Sequence, residues 1–283
     1  MTDAQIHEKE LRSLKTAWLE SGNTEGPLLL FLHGYPDDPH TWDFQIEAFK
    51  KDFHIVCPFT RGTSPSESPQ GLQRYSQDAL TLDLLELIKE VDPTGEKSVY
   101  CVGHDLGAVQ AWNVAPLLGD RLKGLIILDG LSVHQMVHRL TNPKQHLKSW
   151  YIYFINLPYL PDFIASHFSE KLLQFAFEQG GLPQELRPHV NNPGERLTLP
   201  LKQYRAFVRE TVKTAKQHPK KLSCPCLVLW GRKDAFLLPP TLSELEPYAT
   251  NLTVRLLDGN HWIHRECHED VNHLIEEFLK SKP

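Results

Sequence analysis

One pentapeptide constrains this chain more than any other stretch: Gly103-His104-Asp105-Leu106-Gly107. It lies between Ser98–Gly103, a short apolar run with β-branched and aromatic residues that suits a buried strand, and Gly107–Trp112, which opens a segment with helical spacing. The glycines permit a tight strand-to-helix turn, a nucleophile elbow that lifts its central side chain over the sheet edge. That side chain is Asp105. A carboxylate so placed attacks a carbon electrophile by displacement and leaves an ester that water must later cleave. An isolated Gly-His-Asp triplet is more often a plain turn, so the weight falls on its surroundings.

Those surroundings alternate strand and helix. Leu28–Leu32 is an apolar strand running into His33-Gly34-Tyr35-Pro36 and on to Trp42, a sharp loop able to aim a backbone N–H at a site beside the elbow. Ile55–Phe59 is a strand ending at Arg61-Gly62, and Tyr75–Val91 carries Leu80, Leu84, Leu87, Ile88 and Val91 at helical spacing. Leu122–Leu128 is a further strand, ending at Asp129. This order is that of a parallel sheet covered on both faces. At the N-terminus, residues 8–21 are loosely patterned and Ser21-Gly22-Asn23 marks a turn, which suggests a hairpin.

From about Ser132 to Lys221 the strand runs stop, and aromatic-rich helical stretches are broken by Pro143, Pro158, Pro161, Pro183, Pro188, Pro193 and Pro200. A helical insertion here would sit over the carboxyl ends of the strands, where ligands bind in open α/β sheets, and so reads as a lid. The alternation then resumes. Cys226–Trp230 ends at Gly231-Arg232-Lys233-Asp234, Pro240–Tyr248 is a short helix, and Thr253–Leu257 ends at Gly259-Asn260-His261-Trp262. His268–Lys280 closes the chain as a helix with Val271, Leu274, Ile275 and Phe278 inward.

Bulk properties exclude several classes. The 283 residues are 41% hydrophobic with a net charge of −5, enough for a substantial core, and no basic stripe argues for nucleic acid. MTDAQIHEKELRSLK has charges where a signal peptide needs an apolar stretch, and no run approaches ~18 apolar residues. A cytoplasmic protein is expected. Five scattered cysteines, Cys57, Cys101, Cys224, Cys226 and Cys267, fit reduced thiols. Cys224-Pro225-Cys226 and the pair His134 and His138 lack the spacing or companions of a zinc site, so no metal is expected.

Asp105, Asp234 and His261 share one property: each follows a predicted strand. In a parallel sheet such residues converge on one edge, and the order nucleophile, acid, histidine is that of α/β-hydrolases. Over nearly its whole length the chain resembles epoxide hydrolases of that superfamily, on HGYPDDPHTW (33–42), GHDLGA (103–108), WGRKDAFL (230–237) and DGNHW (258–262). SWYIYFINLP (149–158) resembles the family's first tyrosine block and gives Tyr151, with Tyr153 the other register; LKQYRAF (201–207) resembles the second and gives Tyr204.

The resemblance implies an α/β-hydrolase fold: a mostly parallel eight-stranded sheet with helices on both faces, core at 1–132 and 222–283, helical cap at 133–221. It implies that Asp105 attacks the ring while Tyr151 and Tyr204 hold the epoxide oxygen. His261, oriented by Asp234, then activates water, with the Tyr35 and Leu106 N–H groups as oxyanion hole. Asp129 also follows a strand and is the alternative relay acid. Trp42 and Trp262 are the implied substrate contacts. No cofactor is implied; the partners are an apolar small-molecule epoxide and water, and a homodimer is an open assembly.

Leu106 stands where many relatives have Trp, the halide donor of haloalkane dehalogenases, and fluoroacetate dehalogenases carry Arg there. Tyr35 replaces the polar residue many dehalogenases have. Arg61-Gly62-Thr63-Ser64-Pro65-Ser66 lacks the family's second glycine. Haloalkane or haloacid dehalogenation with the same triad is one rival function; a catalytically silent ligand-binding protein is another.

Overall fold

The N-terminal strands β1 (Gln5–Leu11) and β2 (Leu14–Gly22) pair as an antiparallel hairpin, and β2 joins the rest of the sheet antiparallel to β4 (His54–Phe59). In this computed structural model, which describes residues 3–139, 142–188, 201–214 and 220–281, the remaining strands are parallel. They are β3 (Leu28–Leu32), β5 (Val99–His104), β6 (Leu122–Leu128), β7 (Leu222–Gly231) and β8 (Ala249–Leu257). The eight strands run β1-β2-β4-β3-β5-β6-β7-β8. This is the mostly parallel eight-stranded sheet expected. Leu32 pairs with Gly103, Gly103 with Ile127, and Ile127 with Val228, so four carboxyl ends finish level and their loops meet.

Burial follows the strand sequences. All five residues of β3 and all six of β4 are buried, as continuous apolar runs in a doubly covered sheet must be. On one face lie α2 (Gln77–Val91) and α3 (Leu106–Val114), contributing Leu84, Leu87, Ile88 and Val109 to the core. On the other lie α1 (Asp43–Phe49) and the C-terminal helix (His268–Lys280), contributing Ile46, Phe49, Val271 and Ile275. Val91 and Phe278 are only half-buried, because each sits near the end of its helix.

The hairpin is present but turns elsewhere than expected. Arg12 and Ser13 make the bend with φ of 51° and 60°, while Ser21 and Gly22 end β2. Two positive φ values suit the right-handed twist of a two-residue hairpin, and neither residue type announces them. Pro225 sits in β7 opposite Asn251, where pairing to β8 resumes after a shift of register from Leu222.

Between β6 and β7 the described residues form α4 (Val133–Arg139), α5 (Pro143–Lys148), α6 (Trp150–Ile155), α7 (Leu160–His167), α8 (Ser169–Gln179) and α9 (Leu201–Thr214). Pro193 and Pro200 lie outside the described residues. Among the described residues no helix is long and apolar enough to cross a membrane.

Candidate active site

Where β5 ends, Asp105 turns the chain into α3 with φ 50° and ψ −119°, a conformation that costs an L-residue ~1–3 kcal/mol and persists only when its surroundings enforce it. They do so by close approach. A Cβ on Gly107 would lie 2.0 Å from the Leu32 carbonyl oxygen, and one on Gly34 would lie 2.5 Å from the Asp105 Cβ. The two glycines let the loop after β3 close onto the elbow.

That closure engages the two carboxylate oxygens differently. Oδ2 accepts the Tyr35 N–H at 3.0 Å, and the Leu106 N–H also donates to the carboxylate. Oδ1 faces the Tyr204 hydroxyl at 3.5 Å. Burial raises the pKa of Asp105, and the His261 charge with the two N–H donors offsets part of that rise. A buried, sparsely solvated carboxylate is the stronger nucleophile.

On the loop after β8, His261 Nδ1 lies 2.9 Å from Asp234 Oδ2, while Asp234 Oδ1 accepts the N–H groups of Phe236 and Leu237 at 2.7 and 2.9 Å. Burial disfavours charge on His261, but Asp234, its hydrogen bond, Asp105 and Asp37 outweigh it, and the imidazole pKa is raised. Asp129 is placed otherwise. It accepts the Gly231 N–H at 2.7 Å, and burial followed by the Asp234 charge lifts its pKa well above the carboxylate range. It ties down the end of β7.

Opposite Asp105 stand two phenols from the helical segment. The hydroxyls of Tyr151, on α6, and Tyr204, on α9, hydrogen bond to one another, and the rings meet edge to face. Burial raises both pKa values, so both remain protonated donors. Tyr153 points away, 54% exposed, with its hydroxyl on the His146 ring.

These groups border a cavity of about 830 Å³ lined otherwise by Trp150, Phe154, Leu172, Phe175, Phe236 and Trp262. Trp262, expected as a substrate contact, borders this cavity. Trp42 does not. The short turn Pro39–Trp42 carries its ring into the core on the other face, 5.0 Å from Phe31 and 4.6 Å from His264, where it is fully buried.

Several contributors carry no motif. His104 Nε2 donates to the His261 carbonyl at 3.0 Å, and Trp262 Nε1 donates to Asp37 at 2.7 Å, so the elbow and the loop after β3 brace the histidine loop from beneath. Asp37, His104 and His264 have donor atoms within 4.8 Å of one another. Burial drives both imidazoles well below their ordinary pKa, and one nitrogen of each is hydrogen-bonded, His104 Nε2 to the His261 carbonyl and His264 Nε2 to Thr41 at 2.8 Å. From α5, Gln145 grips the loop of the acid, donating to the Phe236 carbonyl at 2.8 Å and accepting the Leu238 N–H at 2.9 Å, and Lys148 donates to the Asp234 carbonyl. Polar residues on a short helix gave no signal in sequence.

The loop without the family's second glycine is held instead by Gly62 at φ 91°, by Ser66 accepting the Ala17 N–H at 2.8 Å, and by Arg61 paired through two nitrogens to Asp83 at 2.6 and 2.8 Å. All five cysteines are free thiols.

Comparison with known proteins agrees with this architecture. The profile of the α/β hydrolase fold family matches residues 27–266. Epoxide hydrolase 3 of Mus musculus is 30% identical over 95% of this chain and 74% of its own length. The AB hydrolase superfamily protein YfhM of Bacillus subtilis is 30% identical over 93% of each chain. Among solved structures, an epoxide hydrolase from Bacillus megaterium, in complex with an inhibitor, superposes with a TM-score of 0.79 at 26% identity, covering 97% of this chain and 100% of that one.

Proposed function

We propose, from the premise that this chain belongs to the α/β-hydrolase fold family and groups with its epoxide hydrolases, that it converts an epoxide to a vicinal diol through an ester on Asp105. The observation that carries the reading is the pair of hydrogen-bonded tyrosine hydroxyls beside a buried aspartate at the border of an apolar cavity. An epoxide oxygen needs proton donors that stay protonated at rest, and a nucleophile on its far side.

With Oδ2 held by the Tyr35 backbone N–H, Oδ1 is the attacking oxygen. It bonds to a ring carbon, the C–O bond of the ring breaks, and a tyrosine proton passes to the alkoxide. His261 then takes a proton from water, whose oxygen adds to the Asp105 carbonyl carbon. The tetrahedral oxyanion forms at Oδ2, where the Tyr35 N–H already points, with the Leu106 N–H also on the carboxylate. Collapse breaks the carbonyl-carbon bond to Oδ1; the departing alkoxide takes the proton from His261, and the new carboxyl returns one to the tyrosinate. Asp234, in contact with His261, is the relay acid of this scheme, and Asp129 supports its loop. The helices of residues 133–221 serve as the lid that carries the phenols.

Dehalogenation is less well served. A departing halide needs N–H donors in place of the phenol pair, and Leu106 offers no side-chain donor. The test is mass spectrometry of the intact protein after mixing with a styrene-type epoxide. His261→Gln gains the mass of the epoxide and holds it, whereas Asp105→Ala gains nothing. An unmodified His261→Gln protein would overturn the scheme.

A further inference from the structure

The space around the reacting centre is divided unequally. Asp105, Tyr151 and Tyr204 border the large cavity and also a second, much smaller one. The three reacting groups therefore stand between two chambers. The large one reaches the surface past Trp150 and Phe175, whose rings are half exposed. The small one is closed by Leu106, Leu131, Met136, Phe207 and Leu237, and the room open in it is about that of a single water molecule.

This division acts on substrate through the geometry of ring opening. With the epoxide oxygen on the two hydroxyls and Oδ1 behind the ring, the two ring carbons lie side by side across the line from nucleophile to phenols. Their substituents diverge, one into each chamber. The large chamber accepts a long apolar or aryl group. The small one accepts hydrogen, or at most methyl.

We propose, resting on the epoxide-hydrolase reading above, that the substrate class is terminal epoxides bearing one extended apolar substituent, and that epoxides within a chain, with bulk on both ring carbons, are excluded. Met136, Leu131 and Phe207 set the limit. Core side chains of this kind resist overpacking, so a propyl group in the small chamber would displace the ring from Oδ1.

Isomeric eight-carbon epoxides test this without changing apolar area: 1,2-epoxyoctane, trans-2,3-epoxyoctane and trans-4,5-epoxyoctane, scored as kcat/KM for diol release. The 1,2-isomer is expected to exceed the 4,5-isomer by at least ~100-fold, with the 2,3-isomer between them, since pocket misfit by a few methylenes is worth that much. Met136→Ala, by enlarging the small chamber, is expected to raise the 4,5-isomer relative to the 1,2-isomer at least ~10-fold. If the wild-type protein turns over the 1,2- and 4,5-isomers within ~3-fold of each other, the inference is wrong while epoxide hydrolysis stands. If no isomer is hydrolysed and none adds to His261→Gln, the functional reading fails and this inference with it. Should Met136→Ala fail to fold, the wild-type comparison alone decides.

Discussion

Charge at the catalytic centre changes hands during the proposed cycle, and residues 105 and 261 are built to feel it. Asp105 is one of the groups that raise the His261 pKa, and both side chains are buried, so little solvent screens them. The Asp105 carboxylate favours the protonated imidazole, the form that cannot act as base. An ester on Asp105 is neutral. Esterification takes the Asp105 charge away from His261, the negative charge passing to the tyrosine that gives up its proton, and so weakens the hold of residue 105 on the imidazole proton. Asp105→Asn imitates the neutral state, and NMR titration of the His261 ring is expected to give a lower pKa in this variant than in the unaltered protein. An equal or higher value would remove the coupling. At this scale the sequence was informative where topology did the work: Asp105, Asp234 and His261 follow parallel strands, and level strand ends bring them together whatever the details. It was uninformative where orientation decides. Tyr151 and Tyr153 are two positions apart on a helix, so they point about 200° apart, and only the docked helix shows which faces the cavity. The Trp42 block was legible as a loop near the site, yet the turn that ends it sends the ring to the other side of the sheet.

Elements are joined at the site by polar contacts that cross from the helical segment to the sheet. Gln145, buried on α5, bonds both the Phe236 carbonyl and the Leu238 N–H, on the loop that presents Asp234. Arg139, at the end of α4, reaches Glu244 and the carbonyls of Leu238 and Pro239 nearby. Gln145→Leu keeps much of the volume but strands two buried backbone groups, each worth ~1–3 kcal/mol. Its expected outcome is a loss of about 2–4 kcal/mol in denaturant unfolding together with slower ester hydrolysis, because the acid loop no longer fixes the imidazole. Substrate alkylation, which does not use His261 as base, should slow less. Rapid-quench separation of the two steps checks this, and equal slowing would sink the positioning role. Strand and helix existence was readable from period and length, whereas the Arg12-Ser13 bend was not, since its positive φ values come from strand twist and not from residue type. The outer strand β1 shows how such an edge is kept unreactive. Glu8, Lys9 and Glu10 put charge along it.

Across the whole molecule the floor and the roof of the cavity differ in what holds them. Asp105 stands at the end of β5, whose side chains, like those of the neighbouring β6, are almost all buried, while His261 follows the half-exposed edge strand β8. Tyr151 stands on a helix that buries only Ile155, and the neighbouring α7 and α8 bury only Pro161 and Ala165, and Leu173 and Phe177. Local opening free energy rises with buried apolar contact, so the roof helices belong to a less stable unit than the sheet. Hydrogen exchange is expected to be slowest in 99–104, 122–128 and 226–231, and at least ~10-fold faster in 150–155, 160–167 and 169–179. A terminal diol bound between the two should slow the roof helices and leave the strands unchanged, because the strands already open only with global unfolding. The contrast follows from construction: the sheet centre supplies a rigid position for Asp105, and Tyr151 rides on a helix loose enough to admit substrate past Trp150 and Phe175. Equal protection of strands and roof helices without ligand would mean that one cooperative unit holds both, and substrate entry would then need another route.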